Sequence, residues 1–375
     1  MSFIPDYMCK NLKTFVIIFL SIITQSVFAG YGDPVNGSPL RTEREVLLMT
    51  NAVRMAPQEF RDLYIQSEAI LLEANYPAVG PIWHNEYLHT TAHNHTEDMA
   101  STCGLQHNSC DGTIWSTRIK ALYTSSSTIA ENVATGISTG LGTIVQWLRD
   151  DDAQGTPAAD KSSGDGHRKN IMNASYHEIG CGYAYSSSRS YNHFWTQDFG
   201  GSGGSGYKIP AGSHFIVSGS TTKINFGANY YDKSAAAPLK AAVIIDNTEY
   251  EMTLLSGISS AGTYNYSMSN DKKSHCYFFE FTDGSGTKIR YPETLNLSTL
   301  SDSACTVTDI KQNKVNSYVS RNSLSFTKGT YYRINGTKVS SNTYRNSDLI
   351  KNASGILLYS TSQEAISPHR VFISR

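Results

Sequence analysis

The run Gly200-Gly201-Ser202-Gly203-Gly204-Ser205-Gly206 constrains this chain more than any other feature, because the hydrophobic period changes across it. Glycine and serine at that density offer little to a core and favour a flexible backbone, so residues 201–206 read as a linker at a domain boundary. On the N-terminal side, Leu88, Ala92, His95 and Met99 recur at steps of four, three and four, which puts them on one helix face. On the C-terminal side the apolar segments are short (215–217, 241–245, 250–255 and 277–281), and in the last Tyr277, Phe279 and Phe281 alternate with Phe278 and Glu280. Alternation by two is the period of a strand, and turns such as Asp283-Gly284 and Ser285-Gly286 fall at roughly the spacing of a β-sandwich. The expected class is α+β: a helix-bearing N-terminal domain followed by a β-rich, sandwich-like C-terminal region.

Residues 30–41 read as a leader to a domain over 42–200. Thr42-Glu43-Arg44-Glu45 has the form of a capping box and predicts a helix from Thr42, with Val46, Met49 and Val53 at helical spacing. Further helices are expected over about 86–102 and 143–148. Residues 178–185 and 191–199 have the β-branched, aromatic and glycine content of two strands joined by a Ser-rich turn. Helices followed by paired strands point to a layered α+β domain. Beyond the linker, 207–312 forms the sandwich-like region. Residues 313–375 repeat the short-strand pattern, with Tyr331-Tyr332, 356–359 and 371–373.

The first 29 residues read as a secretory signal peptide. Lys10 and Lys13 precede an apolar run over 15–23, and Val27-Phe28-Ala29 offers a cleavage site before Gly30. That run is too short to cross about 30 Å of hydrocarbon as a helix. The expected location is therefore secreted, extracellular or periplasmic, with no transmembrane anchor after cleavage. Processing removes Cys9 and leaves Cys103, Cys110, Cys181, Cys276 and Cys305. An oxidising compartment favours disulfides. Pairing within each predicted domain gives Cys103 with Cys110 and Cys276 with Cys305, and Cys181 is then a buried free thiol. No C-x-x-C occurs, which argues against a metal–thiolate site. Lys plus Arg number 31 against 32 for Asp plus Glu, without a basic cluster, so a nucleic-acid partner is excluded.

Among the polar residues, His89 and His93 stand at i, i+4 on the second predicted helix, but without H-E-x-x-H they read as exposed or packing histidines. Asp150-Asp151-Asp152 reads as a solvated helix end, and the Tyr-rich strands after Tyr230 fill a core more readily than they stack on sugars. Taken in order along the chain, one set of short motifs is more specific: Leu47-Leu48 with Asn51 and Arg54; Leu88 and Ala92 with Asp98-Met99; Leu105-Gln106-His107-Asn108; Ala130-Glu131-Asn132; Gly166-His167-Arg168; Asn170-Ile171-Met172; Glu178-Ile179-Gly180; and Trp195-Thr196-Gln197-Asp198-Phe199-Gly200. This order resembles the CAP superfamily of cysteine-rich secretory proteins, antigen 5 and pathogenesis-related 1, also called SCP-like extracellular domains. It is most similar to the bacterial branch.

The resemblance spans about 42–200 and implies an α-β-α sandwich with a central cleft holding two histidines and two acids. Carried over by position, these are His107, His167, Glu131 and Asp150. Asp150 stands where eukaryotic members carry Glu, and Asp151 or Asp152 is the alternative. Two imidazoles and two carboxylates can hold a divalent ion, zinc ahead of magnesium or calcium, with His107 and His167 as metal ligands. Alternatively the carboxylates raise the histidine pKa values and the network binds a polar head group. The family's sterol and lipid binding implies a secreted, non-enzymatic module. Its ligand would be a small apolar, sterol-like or lipid-like molecule, or a protein or glycan partner. One alternative is a metal-dependent or His/Glu hydrolase, a peptidase or esterase at the cell surface, with Ser109 the nearest hydroxyl. Another is an adhesin or cell-envelope interaction protein working through the C-terminal β region.

Overall fold

A computed structural model describes residues 29–66, 70–217 and 223–305, with strands at 330–333, 338–339, 357–360 and 370–371. The signal peptide expected over 1–29 falls, but for Ala29, outside the described residues. The chain divides into two units, 1–308 and 309–375. Among the described residues no helix is long and apolar enough to cross a membrane.

The N-terminal part of the first unit carries α1 (Arg41–Met55), α2 (Pro57–Phe60), α3 (Glu86–Asp98), α4 (Trp115–Leu122), α5 (Gly140–Arg149) and α6 (Gly166–Ile171). Its strands are β1 (Trp83–His84), β2 (Ile129–Thr135), β3 (Glu178–Tyr185) and β4 (His193–Gly200), in the order β1-β3-β4-β2. β1 runs parallel to β3, and the other pairs are antiparallel. The two strands expected from composition are present as β3 and β4. The start of α1 corrects the sequence reading. Leu40, in extended backbone after Pro39, is the N-cap, and its N–H donates to Glu43 Oε2 at 2.7 Å. Glu45 is instead spent on the Leu141 N–H (2.9 Å) at the start of α5 and on Arg41 Nη1 (3.1 Å).

α3 lies directly on β3. A Cβ at Gly180 would stand 2.0 Å from the Leu88 carbonyl carbon, and one at Gly182 would stand 2.4 Å from the Ala92 carbonyl oxygen. Only glycine permits that approach. The alternate residues Ile179 and Cys181 enter a core on the opposite face, shared with Val46, Met49 and Val53 of α1 and Ile144, Trp147 and Leu148 of α5. Asn51 and Arg54 of α1 are structural. The Asn51 amide exchanges two hydrogen bonds with the Ile82 backbone, and the Arg54 guanidinium binds the carbonyls of Gly80, Ile171, Asn173 and Tyr176.

The C-terminal part of this unit is β-strand-rich. One sheet has the order β5-β6-β10-β9, from β5 (Gly212–Phe215), β6 (Lys223–Tyr231), β9 (Thr253–Ile258) and β10 (Ala261–Ser269). Another has the order β12-β11-β7-β8, from β7 (Lys240–Ile245), β8 (Thr248–Glu251), β11 (Cys276–Thr282) and β12 (Lys288–Tyr291), with β13 (Leu297–Ser298) also paired to β11. Phe226 and Tyr230 from the first sheet share a core with Val243, Tyr277, Phe279 and Phe281 from the second, so these aromatics fill an interior. The Gly/Ser run is held at three points: Gly201 N–H donates to Thr128 O (2.9 Å), Ser202 N–H to Tyr123 Oη (3.0 Å), and a Cβ at Gly204 would stand 2.5 Å from the Trp83 ring, whereas Gly203 and Gly206 face open space. Beyond it Ala211 and Phe215 join the N-terminal core. Disulfides join Cys103 to Cys110 and Cys276 to Cys305, and Cys181 is a buried free thiol, as pairing within domains predicted. In the second unit β14 (Thr330–Arg333), β15 (Lys338–Val339), β16 (Leu357–Ser360) and β17 (Arg370–Val371) form an antiparallel sheet ordered β15-β14-β16-β17.

Candidate functional site

The four residues singled out by motif form two histidine–acid dyads on elements that meet at β2, an edge strand. Glu131 lies on β2, and His107 on the loop closed by the Cys103–Cys110 disulfide. His107 Nδ1 and Glu131 Oε1 are 2.9 Å apart, with the imidazole side chain 51% exposed and the carboxylate 1%. Arg118, from α4, holds the other Glu131 oxygen and also donates to His107 O (3.0 Å) and Ser109 Oγ (3.1 Å). The second dyad stands where α5 ends and α6 begins. Asp150 is the left-handed C-cap of α5; one oxygen accepts the His167 N–H at 3.0 Å and the other pairs with His167 Nδ1. The His167 side chain is 34% exposed and that of Asp150 is 8%. Asp151 pairs with Arg149, and Asp152 accepts N–H groups of its own turn, so neither replaces Asp150.

Amide side chains tie the dyads together. Asn170 Nδ2 donates to Asn132 Oδ1 (2.9 Å) and the Glu131 carbonyl (3.4 Å), while Asn132 Nδ2 donates to the His167 carbonyl (3.2 Å) and Gln197 Oε1 (3.1 Å). In α6, Arg168 is fully buried and donates to Leu148 O and to Ala158 O, the latter at 2.6 Å, which fixes the loop between α5 and α6. In each dyad Nδ1 is committed to a carboxylate. Nε2 is therefore the ring nitrogen left for a ligand.

Two participants escaped the sequence reading. Asp198 of β4 is the cross-strand partner of Glu131, so the two carboxyl groups project from the same face of the sheet. Asp198 is buried and accepts the Thr91 Oγ1–H at 2.6 Å. Burial first, then the charge of Glu131, push its carboxyl well above the usual range. Burial also pushes Glu131 up to about 7, against the lowering influence of Arg118. Arg118 bonds Glu131 directly, and its charge works against the rise in both carboxyls. His107 is lowered, by burial and then by the Arg118 charge. Asp198 stood within a quoted motif, but only the β2–β4 register brings it to Glu131. Arg118 had no signal, because α4 is short and lies outside every quoted motif.

The quartet does not gather as a coordination sphere. Among the described residues, the groups of three or more His, Cys, Asp or Glu ligand atoms within 4.8 Å of one another are Glu43, His89 and His93, and Asp98, Cys103 and Cys110. The sulfurs of the latter are spent in a disulfide. In the quartet, Arg118 occupies the Glu131 oxygen that His107 leaves. Its arrangement thus fits two hydrogen-bonded dyads.

A sheet flanked by helices, with two half-exposed histidines each backed by a buried acid beside an edge strand, defines the class of domain. Residues 48–199 match the model of the CAP family, described as the cysteine-rich secretory protein family. This segment of the chain is a CAP domain. Solved structures similar to the chain include an outer surface protein from Borrelia burgdorferi (19% identity over 32% of this chain and 78% of that one, TM-score 0.26). They also include an extracellular protein containing a SCP domain from Bacillus anthracis str. Ames (19% identity, 40% and 43%, TM-score 0.26). A third is venom allergen-like protein 4 from Schistosoma mansoni (16% identity, 42% and 87%, TM-score 0.28). No curated protein matches the chain.

Proposed function

We propose that this is an exported protein whose CAP domain binds a small apolar, sterol-like or lipid-like ligand, or a partner's polar group, at the cleft of His107, Glu131, Asp150 and His167. The observation that carries the reading is the pair of half-exposed imidazoles whose Nδ1 atoms are held by buried carboxylates, leaving both Nε2 atoms to meet a polar head. Leu105 and Ile114, on the segment around His107, are 51% and 56% exposed and offer apolar surface beside it. Two disulfides support an oxidising, extracellular location. In this reading residues 207–312 are a β-sandwich following the CAP domain.

Native mass spectrometry of the purified full chain, with titration of a fluorescent sterol and a fatty acid, tests the proposal. Saturable binding weakened in an H107A/H167A variant is expected; no co-purifying lipid and no saturable binding would sink it. Metal content measured on the same two proteins decides whether His107 and His167 hold a divalent ion, since the variant would then lose one equivalent. The hydrolase alternative finds Ser109 Oγ engaged by Arg118 rather than His107, and it stands or falls on turnover. The adhesin alternative draws on β9, an edge strand with Leu254 and Ile258 exposed, and a blank glycan array would count against it.

A further inference from the structure

A second histidine–acid cluster lies away from the dyads, where the N-terminus of α1 meets α3 and the outer edge of β3. Because β1 pairs only with Glu178 and Ile179, β3 beyond them has no strand on that side. Two side chains take its place: His89 Nδ1 lies 2.8 Å from Cys181 O, and Glu43 Oε1 accepts the Tyr183 N–H at 3.0 Å. A carbonyl only accepts, so His89 carries its proton on Nδ1 and presents a lone pair at Nε2. That lone pair meets Ser38 Oγ at 2.7 Å, with Glu43 Oε2 at 3.9 Å. His93, one turn along α3, has Nδ1 2.8 Å from Glu43 Oε1 and Nε2 3.4 Å from Glu97 Oε1. Glu43 and His89 also line a small cavity of about 10 Å³ with Arg44, His84 and Cys181, while His93 stands outside it.

We propose that Glu43, His89 and His93 form a binding site for one divalent transition-metal ion of the zinc class, distinct from the His107/His167 cleft. Three features carry it. One ligand atom from each residue lies within 4.8 Å of the others. Two imidazoles and a carboxylate are a donor set suited to zinc, with Ser38 or water to complete four-coordination. Each imidazole is also backed as metal-ligating histidines are, His89 by a backbone carbonyl and His93 by the Glu97 carboxylate, which fixes the ring and the tautomer that faces the ion. The ion would staple the leader, α1 and α3 across the open edge of β3.

The test is titration of metal-stripped, tag-free full chain with Co²⁺, read by visible absorption, and with Zn²⁺, read by calorimetry. The H107A/H167A background silences the cleft. One equivalent bound in that background is expected, with loss of binding on adding His93→Gln. Glu97→Gln, which alters only an exposed partner of His93, is expected to weaken binding about tenfold without changing the fold. No binding in the H107A/H167A background overturns the proposal, as does unchanged affinity in the His93→Gln or the Glu97→Gln protein. Because the cleft is already silenced, neither result depends on what the cleft binds.

Discussion

Replacing Asp198 with asparagine tests whether the Glu131–Asp198 pair shares one proton. Both carboxyls are buried and directly opposed across β2 and β4, and one cation, Arg118, bonds Glu131. An acid whose pKa is raised on folding is more protonated in the folded than in the unfolded chain. Its contribution to stability is complete below the unfolded value and is lost as pH rises towards the folded one. For Glu131 the window runs from 4.5 to about 7. At 1.36 kcal/mol per pKa unit the loss is on the order of 3 kcal/mol, and Asp198 adds a loss of the same sign. The amide introduced by Asp198→Asn cannot ionise and removes the charge facing Glu131, so the pKa of Glu131 falls and the slope shrinks. Urea unfolding of parent and Asp198→Asn from pH 4.5 to 7.5 measures it. The variant should gain on the parent, with rising pH, by an amount on the order of 1–3 kcal/mol. Comparison at each pH cancels the titration of histidines common to both proteins. A difference that is flat with pH, or that favours the parent as pH rises, refutes a shared proton.

Gly180→Ala would drive a Cβ to 2.0 Å from α3 backbone, so a loss of about 3 kcal/mol or more in urea unfolding is expected, whereas Gly166→Ala, with nothing within 4 Å, should be neutral or slightly stabilising. Cys181 is buried and its thiol is pushed well above its usual pKa by desolvation, so in the segment 30–375 it should not react with a thiol reagent at pH 8 until denaturant is added; rapid native labelling would contradict its placement. Replacing Cys276 and Cys305 together with Ser opens a link spanning 29 positions and should cost about 2–4 kcal/mol in unfolding free energy, while an unchanged midpoint would show that the link is unimportant to the β region.

Local patterns were legible where one element generates them. The four-three-four spacing of Leu88, Ala92, His95 and Met99 reports a single helix face, and all four are buried. The paired strands and the two disulfides were legible for the same reason: strand composition is local, and each disulfide closes within one region. The capping residue of α1 was misread because two acids lie within reach of the helix start, and the choice of Glu43 over Glu45 depends on α5, whose Leu141 N–H claims Glu45. Likewise His107, Glu131, Asp150 and His167 came from motif order, whereas their division into two dyads follows from which helix end meets which strand.

What escaped the sequence depends on distances that adjacent residues set indirectly. Gly180 and Gly182 say nothing of metal or acid by themselves. Their missing side chains let α3 settle onto β3, and at that depth His89 reaches the Cys181 carbonyl while Thr91, two residues on, reaches Asp198. One packing event therefore prepares both clusters: it fixes the His89 tautomer beside Glu43 and supplies the hydrogen bond that Asp198 accepts beside Glu131. On this account Gly180→Ala should do more than destabilise. It should weaken Co²⁺ binding at Glu43, His89 and His93 and also alter the pH dependence attributed to Asp198, both under conditions where circular dichroism shows the chain still folded. Gly166→Ala should leave both readouts unchanged. A Gly180→Ala protein that loses stability yet keeps its metal affinity and its pH profile would show that the two clusters do not depend on the seating of α3.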